Sequence, residues 1–138
     1  MADRKYCALV TGATRGIGFA IAERLLLDGM DVIVTGTTKE AEYPIGADYY
    51  PVDFLDDSSV LSFIESLKQK PIDILINNAG INKIDEFQSI EIADFNKIHK
   101  VNLKIPFLLC QAVIPYMKKN KWGRIVNITS IWSNVTKE

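Results

Sequence analysis

Thr11-Gly12-Ala13-Thr14-Arg15-Gly16-Ile17-Gly18 follows an apolar run at residues 6–11 and opens a segment, 17–27, whose apolar residues recur at helical spacing. Glycines at 12, 16 and 18 carry no Cβ, so the backbone can turn tightly and a ligand can approach it closely. A helix start behind such a turn offers unpaired N–H groups and the positive end of the helix dipole, which suits a pyrophosphate. Three glycines alone are weak evidence, and a tight turn without ligand uses the same residues. Placed between the first strand and the first helix, they satisfy the context that dinucleotide binding requires. No Gly-Lys-Ser/Thr follows, which excludes a P-loop.

Outward from this turn, strand-length apolar runs alternate with helical spacing. Residues 6–11 read as a strand buried on both faces, and Asp28-Gly29 stops the helix over 17–27. Strands are predicted at 31–35, 47–52, 72–76 and 124–129, an amphipathic helix at 58–68, and one long helix at 92–120 interrupted by Pro106 and Pro115. The 36–46 connection contains Pro44 and is too short for a full crossover helix, so it predicts a loop or a single turn. Alternation of this kind implies right-handed crossovers and a parallel sheet covered on both faces. The expected fold class is α/β, a single domain over residues 1–138.

The chain has 138 residues, room for one ordinary domain. Sixteen Lys and Arg stand against 17 Asp and Glu, for a net charge of -1, which argues against a broad basic nucleic-acid face. With 48% hydrophobic and 24% charged residues the composition is globular. Cys7 and Cys110 lie in apolar runs and read as free thiols of a reducing compartment in preference to a disulfide. His99 is the single histidine and there is no CxxC pair, so no metal site is expected. The apolar stretch at 6–10 is too short for a signal sequence or a membrane span. A soluble, cytoplasmic protein is expected.

Taken in order, the TGxxxGxG turn, Asn77-Asn78-Ala79-Gly80 after the fourth strand, Asn102, and Ser130 after the fifth strand resemble the short-chain dehydrogenase/reductase family. Within it, Thr14-Arg15-Gly16-Ile17-Gly18 is most similar to the 3-oxoacyl-[acyl-carrier-protein] reductases and related NADPH-dependent ketoreductases. The resemblance runs from Lys5 to Ser130. It implies a Rossmann-type doubly wound sheet in the order 3-2-1-4-5, ending here after its fifth strand. An extended-family epimerase fits less well, because its glycines are spaced TGxxGxxG.

NAD-preferring Rossmann proteins place an acid at the end of strand two for the adenosine ribose 2′-OH. Here Thr35-Gly36-Thr37-Thr38 stands there, with no acid before Glu40. The resemblance assigns a cation in the glycine turn, Arg15, to the 2′-phosphate of NADP, and the Thr37 and Thr38 hydroxyls offer further hydrogen bonds. NADP is therefore the expected cofactor. By the same resemblance Asp53 and the Phe54 backbone meet the adenine, and Asn78, Ala79 and Gly80 lie against its ribose. Gly12, Thr14, Gly16, Ile17 and Gly18 complete the expected cofactor site. Asp53 also suits a plain capping role, and Asn77 and Asn78 also suit strand-end turns.

In an α-helix the N–H of residue 106 would bond the carbonyl of residue 102. Residue 106 is proline, so the Asn102 carbonyl is expected to be free, and the resemblance gives it a water of the proton relay. The resemblance also gives the Ser130 hydroxyl the substrate carbonyl oxygen, with Ser133 a lesser alternative. The family's next motif, Tyr-x-x-x-Lys, is not among residues 131–138, since Lys137 has Ser133 four residues before it. Two readings follow: the cofactor-binding part of a ketoreductase, completed by further chain or a companion chain, or a short NADP-binding module without catalysis. Either leaves an apolar face on the long helix, and hence a homo-oligomer or a companion chain is expected. The substrate would be a small carbonyl or acyl-carrier compound. Lys118, Lys119, Lys121 and Arg124 suit an acidic carrier protein, but also a solvated helix end.

Overall fold

Five parallel strands form the centre of the computed structural model, which describes residues 4–130. They are β1 (Cys7–Val10), β2 (Asp31–Gly36), β3 (Asp48–Pro51), β4 (Ile74–Asn77) and β5 (Arg124–Asn127), in the order β3-β2-β1-β4-β5. Four helices surround them: α1 (Gly16–Leu27), α2 (Asp57–Leu67), α3 (Ile92–His99) and α4 (Ile105–Lys119). The expected Rossmann-type topology is therefore present, as is the loop between β2 and β3, which holds no helix or strand. Ser133 and Lys137 lie outside the described residues.

Leu9 and Val10 are fully buried on opposite faces of β1, and each seeds a core. Leu9 packs with Leu75, Phe63, Leu67, Ile105 and Leu109, under α2 and α4. Val10 packs with Val32, Val34, Ile76 and Ala22, under α1. Consecutive apolar residues in β1 and β2 thus reflect burial on both sides of a parallel sheet. Helix α1 ends as the Asp28-Gly29 pair dictates: Gly29 takes φ +83°, and the N–H of Met30 returns to the Leu25 carbonyl at 3.1 Å.

The region expected to be one α-helix with proline breaks is instead α3, a π turn at Lys100–Lys104, and α4. The N–H of Ile105 donates five residues back, to the Lys100 carbonyl. Pro106 supplies the reason. Its missing N–H and bulky ring conflict with the α spacing one turn earlier, and widening that turn relieves the conflict. Pro115 is carried inside α4.

Asp73 is buried at the start of this sheet, before β4. Its carboxylate accepts from the Cys7 N–H at 3.0 Å and pairs with Arg4, which also donates to the Tyr116 hydroxyl at 2.9 Å. This ties the N-terminal segment to α4. Cys7 and Cys110 are both free, as expected; Cys7 is buried and Cys110 half-buried. Burial pushes the Cys7 thiol up to about 11.

Coverage of the sheet is uneven. All four residues of β5 are exposed, and α4 presents Leu103 (58% exposed, in the π turn before it), Phe107 (60%) and Ile114 (38%). Among the described residues no helix is long and apolar enough to cross a membrane.

Candidate functional site

Thr11 ends β1 with a buried hydroxyl whose oxygen accepts two backbone N–H groups, from Asn78 and Ala79, each at 3.0 Å. The Asn78 side chain answers by donating to the carbonyls of Thr11 and Gly12, both at 3.0 Å. The Gly12 N–H in turn donates to the buried Thr35 hydroxyl at 3.2 Å, and Ala13 N–H to the Thr35 carbonyl at 3.0 Å. The glycine turn is thus fastened to the ends of β2 and β4 before any ligand is considered. Thr11 and Thr35 were not singled out from sequence. Their signal was a threonine at the end of a β-branched or apolar strand.

Each glycine has its own steric reason. Gly12 sits at φ +65°, and a Cβ there would lie 2.9 Å from Ala79 Cα. Gly16 also has positive φ, +59°, but faces open space, so its backbone is accessible. A Cβ on Gly18 would lie 2.4 Å from Asn78 Nδ2, so this glycine admits the side chain that stitches the turn to β4.

A cavity of about 610 Å³ opens in front of this turn. Gly12, Thr14, Arg15, Gly16, Ile17, Thr37, Asp53, Phe54, Asn78, Ala79 and Gly80 all line it. Gly18 does not; it packs behind. Gly36, Leu55, Ile81 and Val101 also contribute. Thr38 is not in the lining, and its hydroxyl donates instead to the Glu40 carbonyl at 2.8 Å. Asp53 does serve as a turn residue, accepting from the Leu55 N–H at 2.9 Å, while also facing the cavity. Lys100 braces this rim by donating to the Leu55 carbonyl at 2.7 Å. Its bond to Asp57 holds that carboxyl below its usual value.

A second cavity of about 670 Å³ shares the Asn78–Gly80 wall and contains Asn102, Pro106, Phe107, Cys110, Asn127 and Ser130. Both lie at the carboxyl ends of the strands, where open α/β sheets hold ligands. Asn102 reaches across with its side chain: Oδ1 accepts from the Ile81 N–H at 2.9 Å and Nδ2 donates to the Ile81 carbonyl at 2.8 Å. The π turn changes which carbonyl the proline leaves without a donor. In the widened spacing, the donor missing at Pro106 would have served Val101; in α spacing it would have served Asn102. Asn77 donates to Asn127 Oδ1 at 2.8 Å, bridging β4 and β5 beneath this cavity. Lys118, Lys119, Lys121 and Arg124 stand at the end of α4 and the start of β5, at the opposite ends of the strands from both cavities.

The cavity residues fit a dinucleotide. Accessible backbone at Gly16, a helix N-terminus behind it and a cation beside it make an anion cradle. A parallel sheet in this order with such a turn at its first βα junction defines an α/β nucleotide-binding protein. The short chain dehydrogenase family model matches residues 6–138, and this chain belongs to that family. It is 40% identical over 136 residues to the 3-oxoacyl-[acyl-carrier-protein] reductase FabG of Aquifex aeolicus, covering 90% of this chain and 55% of that protein. A short-chain dehydrogenase from Streptomyces avermitilis superposes with TM-score 0.87 at 28% identity, over 99% of this chain and 53% of its own. A metagenomic short-chain oxidoreductase in complex with NADP gives TM-score 0.82 at 29% identity, over 94% and 63%. The chain spans about half the length of the curated relatives it matches.

Replacing Thr11 by valine keeps the shape and leaves two N–H groups without their acceptor. The expected loss of stability is about 2–4 kcal/mol, read from urea denaturation. A change below about 0.5 kcal/mol, within the ordinary surface range, would show that these bonds do not hold the turn.

Proposed function

We propose that this chain is the NADP-binding part of a short-chain oxidoreductase that reduces a ketone or 3-oxoacyl substrate, and that it does not turn over alone. The observation that carries the cofactor reading is the composition of the first cavity. Arg15 and Thr37 line it together, and no carboxylate stands at the end of β2. A 2′-phosphate facing Arg15 gains charge-assisted hydrogen bonds, whereas an acid there would repel it. The NADP bound by the metagenomic neighbour supports the same assignment.

Nicotinamide, when bound, supplies the hydride. The turn from Gly12 to Ile17 would hold the phosphates, with Arg15 on the 2′-phosphate, Asp53 and the Phe54 backbone would orient the adenine, and Asn78, Ala79 and Gly80 would flank the ribose. Ser130 polarises the substrate carbonyl from the second cavity, as a donor aimed at the oxygen that gains charge. Asn102, anchored to Ile81, stands in the second cavity where the family resemblance gives it a water of the proton relay. A tyrosine general acid and its lysine partner come from a Tyr-x-x-x-Lys segment outside these 138 residues. The exposed face formed by Leu103, Phe107 and Ile114 pairs with a second copy or with that companion segment. Two free thiols support a reducing, cytoplasmic setting.

Three measurements test this. Arg15→Ala should weaken NADPH binding by about 1–3 kcal/mol in a fluorescence titration and leave NADH nearly unchanged; equal losses would remove the cofactor reading. NADPH oxidation with a 3-oxoacyl thioester should be absent for this chain and appear when a polypeptide carrying Tyr-x-x-x-Lys completes it, then vanish in Ser130→Ala. Turnover by the 138-residue chain itself would refute the division of labour. Sedimentation should show self-association that Phe107→Glu diminishes, and a monodisperse monomer at high concentration would count against the pairing face.

A further inference from the structure

Tyr49 lies in none of the motifs that carry the family resemblance, yet it meets Gly36 of the first cavity's lining and the loop beyond it at Thr38 and Tyr43. The β2–β3 register sets Tyr49 opposite Val34, so its ring lies on the α1 side of the sheet. From there its hydroxyl donates to the Thr38 carbonyl at 2.5 Å. Its ring stacks on Tyr43, with centroids 4.7 Å apart and planes 6° from parallel. A Cβ on Gly36 would lie 2.7 Å from the Tyr49 hydroxyl and 2.3 Å from Thr14 Cγ2. The Gly36 backbone therefore occupies a slot between Tyr49 and the glycine turn.

This matters because Gly36 and Thr37 line the cavity while the chain beyond them has no regular structure. Residues 37–47 contain no helix or strand, so the height of Thr37 above the cavity depends on tethers back to the sheet. Tyr49 holds this segment at two points, by hydrogen bond at Thr38 and by ring stacking at Tyr43. Burial and the neighbouring Tyr43 raise its hydroxyl's pKa. Tyr50, one residue on, faces the opposite side and packs against Phe63.

We propose that Tyr49 is a positioning residue for cofactor specificity, holding residues 36–38 where Thr37 meets the adenosine 2′-phosphate. The inference rests on the NADP reading above and names what sets the geometry of that recognition. A tyrosine that merely stabilised the fold would affect both cofactors alike; one that positions this rim affects NADPH selectively.

The test is the ratio of NADPH to NADH dissociation constants, by calorimetry, in the 138-residue chain and in Tyr49→Phe and Tyr50→Phe. Tyr49→Phe keeps the stacked ring and should weaken NADPH about three- to tenfold, the range for one hydrogen bond, with NADH nearly unchanged. Tyr50→Phe, which loses a hydroxyl on the other face, should leave the ratio as it is. An unmoved ratio in Tyr49→Phe, equal losses for both cofactors, or the same shift in Tyr50→Phe overturns the inference while the NADP reading stands. A wild-type chain that binds both cofactors equally overturns the NADP reading and this inference with it. Hydrogen exchange in the wild-type chain gives a test free of folding defects: the amides of residues 36–38 should slow with NADPH and not with NADH. Equal protection by both would overturn the proposal.

Discussion

Two backbone N–H groups at the end of β4 point at one hydroxyl oxygen at the end of β1, and the geometry of the cavity follows from that convergence. With Thr11 accepting from Asn78 and Ala79, and Asn78 donating back to Thr11 and Gly12, neighbouring strand ends are held at hydrogen-bond distance. Glycine at 12 is then required by the approach of Ala79, and glycine at 18 by the approach of the Asn78 amide. Buried groups of this kind tolerate no vacancy, because each unmet donor costs its full desolvation. The turn therefore has one shape, with Arg15 and the α1 N-terminus on its open side.

Two cores of unequal size support this arrangement. The larger lies under α2 and α4 and continues from Leu9 through Leu75 to Leu109; the smaller lies under α1 alone. Strands β2, β1 and β4 are buried on both faces, while β5 is exposed along its length. The second cavity lies on this less covered side. The first lies over the well-packed strands.

At the β2 end, electrostatics and backbone geometry reinforce each other. Arg15 places a cation here and positions 36–39 carry no acid, but charge alone does not set distance. Distance comes from the slot that holds Gly36 between Thr14 and Tyr49, and from the tether of Thr38. On the opposite wall, the π turn that relieves Pro106 brings Asn102 against Ile81 and Lys100 onto the Leu55 carbonyl. A local covalent constraint thereby shapes one side of each cavity.

Sequence alone determined the α/β class, the five strands, the loop after β2 and the cavity-lining residues of the glycine turn. These follow from near-neighbour physics: buried parallel strands read as unbroken apolar runs, and glycine is demanded by backbone shape. The strand order and the places of Asn102 and Ser130 came from resemblance, since a run of residues does not state which strand it will pair with. Tertiary structure decided the remainder. The π turn depends on how the chain absorbs Pro106 while α4 stays packed on the sheet. The withdrawal of Thr38 into its own turn, the seating of Gly18 behind the cavity and the reach of Tyr49 to the β2 end all depend on register between strands distant in sequence. Hydrogen bonds between such strands act over a few ångströms, and only the folded sheet brings their partners within that distance.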